Sequence, residues 1–120
     1  MRILIVDDSS MMRSMVKRTL GQAGFTGHEL AEAVDGAAGL AHMESVGADL
    51  VLCDWNMPNL SGIEFLQKLR AGGNQTSFVF VTSEGTPEMR ATASKEGAVG
   101  LIEKPFTPEA FKHVLASLIV

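Results

Sequence analysis

The chain is poor in cysteine, in basic charge and in long apolar runs, and each shortage removes a class of function. A single cysteine, Cys53, rules out an internal disulfide framework. Its place inside an apolar run reads as a buried, unreactive thiol. Ten Lys and Arg against fourteen Asp and Glu leave a formal net charge of -4 and a sequence pI near 5.3. The clustered cations of a broad nucleic-acid or anionic-membrane footprint are therefore missing. No apolar stretch approaches the roughly 20 residues of a transmembrane helix. Met1-Arg2 leads directly into a short strand and then into acids, without the pattern of a signal peptide. A cytoplasmic protein is expected. Repeats, low-complexity tracts and long linkers are also absent, and 120 residues with 46% apolar content suit one compact domain over residues 1–120.

What is present is an alternation of runs suited to strands with segments suited to helices, joined by short connections, which is the pattern of βαβ units. Four apolar runs end in the same kind of polar chemistry. Ile3-Leu4-Ile5-Val6 leads into Asp7-Asp8, and Ala48-Asp49-Leu50-Val51-Leu52-Cys53 into Asp54. Phe78-Val79-Phe80-Val81 leads into Thr82, and Val99-Gly100-Leu101-Ile102-Glu103 into Lys104. A weaker strand spans His28 to Val34, for a count of five strands and five helices.

The first helix runs from a Ser9 or Ser10 cap to about Gln22, with Met12, Met15, Val16, Thr19 and Leu20 at helical spacing and Gly21 and Gly24 helping to end it. The second spans about Gly36 to Ser45, with Ala37, Leu40, Ala41 and Met43 as its apolar contribution. A loop from Trp55 to Gly62 precedes a helix carrying Ile63, Leu66 and Leu69, closed by Gly72-Gly73-Asn74. Thr86-Pro87-Glu88 and Thr107-Pro108-Glu109 each place a capping hydroxyl before Pro at the first helical position, with an acid in the first turn. Phe111, Val114, Leu115 and Leu118 give the final helix a stripe facing the sheet.

In open α/β sheets, ligands bind outside the carboxyl ends of the strands at a topological switch point. If the four runs are parallel, Asp7, Asp8, Asp54, Thr82 and Lys104 converge at one such edge. Taken singly, each also reads as turn, cap or solvated-surface chemistry; delivery by four strands to one edge is what sets them apart. Two carboxylates about 4 Å apart at an effective dielectric near 20 repel by roughly 4 kcal/mol. A third must raise a pKa or attract a cation. A hard, oxygen-liganded ion such as Mg²⁺ suits two direct acids and a third acting through water. Asp54 could then attack phosphorus, with Thr82 donating to one phosphoryl oxygen and Lys104 pairing with another.

These residues resemble the receiver domain of two-component response regulators, most closely the single-domain chemotaxis regulators of the CheY type. The likeness spans essentially the whole chain: Ile-Val-Asp7-Asp8-Ser, Asp54-Trp-Asn56-Met-Pro58, Val-Thr82-Ser83 and Lys104-Pro105-Phe106. It implies a flavodoxin-like (βα)5 doubly wound parallel sheet in the order 2-1-3-4-5, which flavodoxin and CheY share. It further implies that Asp54 accepts a phosphoryl group from a histidine kinase or phosphotransfer protein. Asp7 and Asp8 would be the metal acids and Asn56 a backbone-carbonyl ligand for Mg²⁺. Thr82 would be the switch hydroxyl and Lys104 the cation of the phosphate. Lys104-Pro105 is expected to be cis.

Many family members carry an aromatic residue three positions before the lysine, where Leu101 stands here. Leucine has no ring to rotate and no hydroxyl to bond, so a packing switch is expected instead. Its surface would be helix 4, strand 5 and helix 5, with Arg90, Lys95 and Lys112 guiding a partner. A monomeric switch reset by hydrolysis is expected, with a chemotaxis-like or phosphorelay output, or else a receiver cut from a larger regulator. A haloacid-dehalogenase-like phosphohydrolase would also use an aspartyl nucleophile and Mg²⁺, but it typically carries a second acid where this chain has Asn56. A flavodoxin would place hydroxyls, not Asp7-Asp8, beside its phosphate. A non-phosphorylated pseudo-receiver usually loses an acid or the lysine, and neither is lost here.

Overall fold

The four apolar runs and the weaker one form a single parallel sheet: the central three strands are buried almost throughout, and the weaker run, largely exposed, lies at an edge. In the computed structural model, which describes residues 1–119, the strands are β1 (Arg2–Val6), β2 (Glu29–Ala33), β3 (Leu50–Cys53), β4 (Ser77–Thr82) and β5 (Gly100–Glu103). Their order is β2-β1-β3-β4-β5, and every adjacent pair is parallel. The helices that return the chain are α1 (Ser10–Gln22), α2 (Gly36–Ser45), α3 (Gly62–Ala71), α4 (Pro87–Lys95) and α5 (Pro108–Leu115). This is the expected flavodoxin-like order.

Side chains alternate between two cores. Ile3, Ile5, Leu50, Leu52, Val79, Val81 and Ile102 pack under α1 and α5 with Val16, Leu20, Phe111 and Leu115. Leu4, Val6, Val51, Cys53, Phe78, Phe80 and Leu101 pack under α2, α3 and α4 with Met43, Phe65, Leu66, Leu69 and Ala93. Ala33, Val6, Cys53, Phe80 and Leu101 form one row across the sheet. The residues just beyond that row are Asp7 and Asp54, and this register aligns the acids.

The helix starts behave as their residues dictate. The side chains of Ser9, Asp35, Ser61, Thr86 and Thr107 each accept a backbone N–H three residues on, and Ser61 with Glu64 completes a capping box. The Lys104–Pro105 peptide is cis, as expected.

The faces differ from expectation in α1, α2 and α3 and at the ends of α5 and β5. In α2, Ala37 and Ala41 point to solvent, and Gly36, Gly39 and Met43 are the buried residues. The reason is close approach: a Cβ on Gly36 would run into the Leu60 carbonyl, and one on Gly39 would sit 3.0 Å from the Phe65 ring. The inward face is therefore bare backbone, which hydropathy does not register. In α1, Met15 is 40% exposed although it holds a helical spacing, because Val16, Thr19 and Leu20 already fill the contact with the sheet. At the chain's end, Leu118 packs against the core from beyond the last residue of α5. Val99 likewise lies outside β5 and is 53% exposed. Phe65, absent from the expected face of α3, is fully buried there against Phe78, ring centroids 5.4 Å apart.

These faces predict opposite outcomes for two substitutions. Phe65→Ala is expected to lower unfolding stability by about 3–5 kcal/mol. Met15→Ala should stay within about 0.5 kcal/mol of wild type. Urea denaturation followed by far-UV circular dichroism measures both.

Candidate functional site

The carboxyl ends of β1, β3, β4 and β5 bring the expected side chains together. Asp7, Asp8 and Asp54 each offer a carboxylate oxygen, and these oxygens all lie within 4.8 Å of one another. Lys104 reaches in from the end of β5, its Nζ 3.1 Å from Asp7 Oδ2 and 3.6 Å from Asp54 Oδ2. Three carboxylates against one ammonium leave two negative charges, which matches a divalent cation with oxygen ligands.

Backbone amides hold Asp7 and Asp54 in place. Asp7 is 4% exposed; its Oδ1 accepts the Ser9 N–H at 2.9 Å, and its main-chain carbonyl accepts Arg13 Nη1 at 2.7 Å. Arg13 is braced in turn by Glu32, which also meets Lys17. Asp54 Oδ1 accepts the Trp55 N–H at 2.8 Å, which orients the carboxylate so that its other oxygen faces Lys104. Burial pushes the Asp54 carboxyl above its ordinary range; Lys104 pulls it down, and Asp7 and Asp8 push it up again. A divalent cation among these oxygens would reverse that balance.

Thr82 is fully buried at the end of β4, where its Oγ1 accepts the Glu84 N–H over a long 3.4 Å. That is the one hydrogen bond of its hydroxyl among the described residues, and the hydroxyl proton remains free to donate. Asn56 lies exposed in the loop, two residues past Asp54. Cys53 is buried, and burial, then the charges of Asp54 and Asp7, push its thiol well above the ordinary value. An unreactive thiol follows.

On the neighbouring face, Leu101 is buried and lies on the same side of the sheet as Thr82, in register with Phe80. It borders a cleft of about 210 Å³ between α4 and β5, shared with Arg90, Ala93, Ser94 and Gly100. Arg90 is engaged, not free. Its Nη2 sits 2.8 Å from Glu103 Oε1 and its Nε donates to the Gly85 carbonyl at 3.2 Å. Lys95 and Lys112 are exposed and make no ion pair among the described residues.

Residue types did not single out Arg13 or Gly62. Arg13 acts through a carbonyl, so no sequence spacing marks it. Gly62 opens α3 directly beneath the loop that follows Asp54, where its N–H donates to Trp55 O at 2.8 Å and any Cβ would strike the Asp54 carbonyl. A lone glycine after Ser61 reads only as loop chemistry.

The family model of the response regulator receiver domain matches residues 3–116. The chain is 37% identical to the chemotaxis protein CheY of Pseudomonas aeruginosa, over 98% of this chain and 95% of that protein. It is 34% identical to the chemotaxis protein CheY1 of Helicobacter pylori strain J99, over 96% and 94%. The solved structure of the chemotaxis response regulator CheY4 of Vibrio cholerae superimposes with a TM-score of 0.84 at 34% identity, covering 98% of each chain.

The raised carboxyl of Asp54 has a consequence for stability. A group that holds its proton more tightly folded than unfolded contributes stability that is fully present below its unfolded pKa and is lost as pH rises through the folded one. At neutral pH the ionised Asp54 therefore weakens the metal-free fold. Metal-free Asp54→Asn protein is expected to melt a few degrees higher than wild type at pH 7. The gap should close as pH falls below the ordinary Asp range. Calorimetric scans across pH test this, and identical midpoints at pH 7 would contradict it.

Proposed function

This chain belongs to the response regulator receiver domain family, phosphorylation-driven switches of two-component signalling, and we propose that Asp54 is its phosphoryl acceptor. The observation that carries the assignment is a partly buried carboxylate, 3.6 Å from a lysine ammonium, with two further acids beside it. A carboxylate oxygen of Asp54 attacks the phosphorus of a phosphohistidine on a histidine kinase or phosphotransfer protein. The P–N bond breaks with its electron pair left on the imidazole, and a P–O bond forms. Water later attacks the phosphorus and the carboxylate leaves, which resets the switch.

Asp7, Asp8 and Asp54, with the backbone carbonyl of Asn56, are the residues suited to hold Mg²⁺. Bound there, Mg²⁺ would supply charge neutralisation for the incoming phosphoryl oxygens. Lys104 pairs with one phosphoryl oxygen, and the free proton of Thr82 is donated to another. The protein is a phosphoacceptor whose own residues promote gain and loss of the group, not an enzyme that turns over a separate substrate.

Movement of Thr82 toward the phosphoryl group opens space on the side of the sheet it shares with Leu101. Leu101 has room to change rotamer beside the cleft against α4, and the α4, β5 and α5 surface changes by packing. Lys95 and Lys112 then offer free charge to a partner, and Arg90 does so only where its pairing with Glu103 opens. The likeness to named chemotaxis proteins supports a chemotaxis-like output. The acidic charge argues against direct nucleic-acid binding, and no helix among the described residues is long and apolar enough to cross a membrane. We place the switch in the cytoplasm as a monomer.

Two outcomes are expected. With Mg²⁺ and a small-molecule phosphodonor, intact-mass measurement should record one added phosphoryl group, lost in Asp54→Ala and on chelation of the metal. Labelling of Asp54→Ala at the wild-type rate and extent would sink the assignment. A beryllofluoride mimic should shift amide NMR resonances at Thr82, Leu101 and residues 89–95 more than those of α2. Leu101→Ala should shrink that response while leaving phosphorylation of Asp54 in place.

A further inference from the structure

The loop from Trp55 to Ser61 follows the acceptor and contains Asn56, yet it has no regular secondary structure to hold its shape. Its ends are tied to the sheet and to α3. Asp54 N donates to Val6 O at 2.9 Å, and Ser61 caps the helix. Its middle contains one internal bond, Leu60 N to Pro58 O, and one left-handed residue, Asn59, at φ 67°. Asn59 is the only non-glycine residue in that conformation among the described residues. Such backbone is uncommon outside glycine, although asparagine tolerates it better than most.

Two hydrogen bonds reach the middle of this loop from another element, and both come from the start of α2. Asn59 Nδ2 donates to Asp35 Oδ2 at 2.7 Å, and Gly36 N donates to Leu60 O at 3.2 Å. Asp35 is 8% exposed and divides its carboxylate. Oδ1 caps α2 by accepting the Ala38 N–H at 2.8 Å, and Oδ2 is given to Asn59. Capping needs a single oxygen, which serine would supply equally well. The second oxygen of Asp35 is therefore surplus to the helix and is spent on the loop.

We propose that Asp35 and Asn59 form a positioning pair that sets the acceptor loop, and with it Asn56 and Asp54, in the arrangement that binds a divalent cation. The inference rests on the metal-binding reading above and adds residues that touch neither cation nor phosphoryl group. The pair acts by holding Asn59 in its left-handed conformation and docking Leu60 against Gly36, so that the residues between Asp54 and Asn59 keep one path. Without it the same ligands remain, but the loop must be ordered when the ion binds, and affinity falls.

Two substitutions remove the pair while sparing the fold. Asp35→Ser keeps a cap on α2 and loses the oxygen that Asn59 uses. Asn59→Gly keeps the left-handed backbone at ease and loses the donor. Mg²⁺ titration can be followed through the fluorescence of Trp55, the sole tryptophan, whose amide bonds Asp54. Wild type is expected to give a saturable response. Each single variant should bind Mg²⁺ about tenfold more weakly, the low end of what supporting residues around a metal contribute. The double variant should be no weaker than the worse single one, because both remove the same bond. Metal-free melting midpoints should move by about 4 °C or less, and the Gly36 amide should exchange faster with solvent in both single variants. Unchanged Mg²⁺ affinity in the two single variants, with wild type responding, would overturn the positioning role alone. Losses that add in the double variant would also overturn it. A wild type that gives no saturable Mg²⁺ response would overturn the metal-binding reading itself.

Discussion

The ion pair between Lys104 and Asp7, 3.1 Å apart at the carboxyl edge of the sheet, is the contact on which the site depends. Three carboxylates gathered within 4.8 Å repel one another, and a fold that assembles them must offset that repulsion in advance. Lys104 offsets part of it, and the amides of Ser9 and Trp55 offset more. What remains is an excess of negative charge, which suits the divalent cation and phosphoryl group of the proposed function. The Lys104 N–H also donates to Thr82 O at 2.8 Å, just past the β4–β5 ladder, so the cation and the hydroxyl are fastened to each other by backbone.

Close backbone approach is the second constraint. Gly62 and Gly36 stand where any side chain would collide with the carbonyls of Asp54 and Leu60. These two glycines let α3 and α2 press against the loop that leaves β3. Asp54 thus sits at a strand end beside the start of α3, with the Trp55 amide and the Lys104 ammonium against its carboxylate.

Beside this centre lies the face that the proposed switch would adjust. Leu101 borders a cleft, and the exposed ion pair between Arg90 and Glu103 bridges α4 to β5 at modest energetic gain. The small apolar contacts of Leu101 and Ala93 there would repack at lower cost than the Phe65, Phe78 and Phe80 ring contacts behind them.

The sequence by itself determined the parallel architecture, the helix starts and the identity of the polar residues at the strand ends. Those features depend on local chemistry: apolar runs bounded by turn residues, hydroxyl and carboxylate caps, and proline at a first helical turn. Asp7, Asp8, Asp54, Thr82 and Lys104 were legible for the same reason, since each stands at or just past the end of an apolar run. Tertiary structure alone decided which side of α2 faces inward, because Gly36 and Gly39 pack by being small and give no hydrophobic signal. It also decided that Met15 stays exposed, that Arg90 is tied to Glu103, and that Asp35 serves a loop 24 residues away. Contacts between distant elements depend on where backbones come close in space, and residue type at either end does not report that distance.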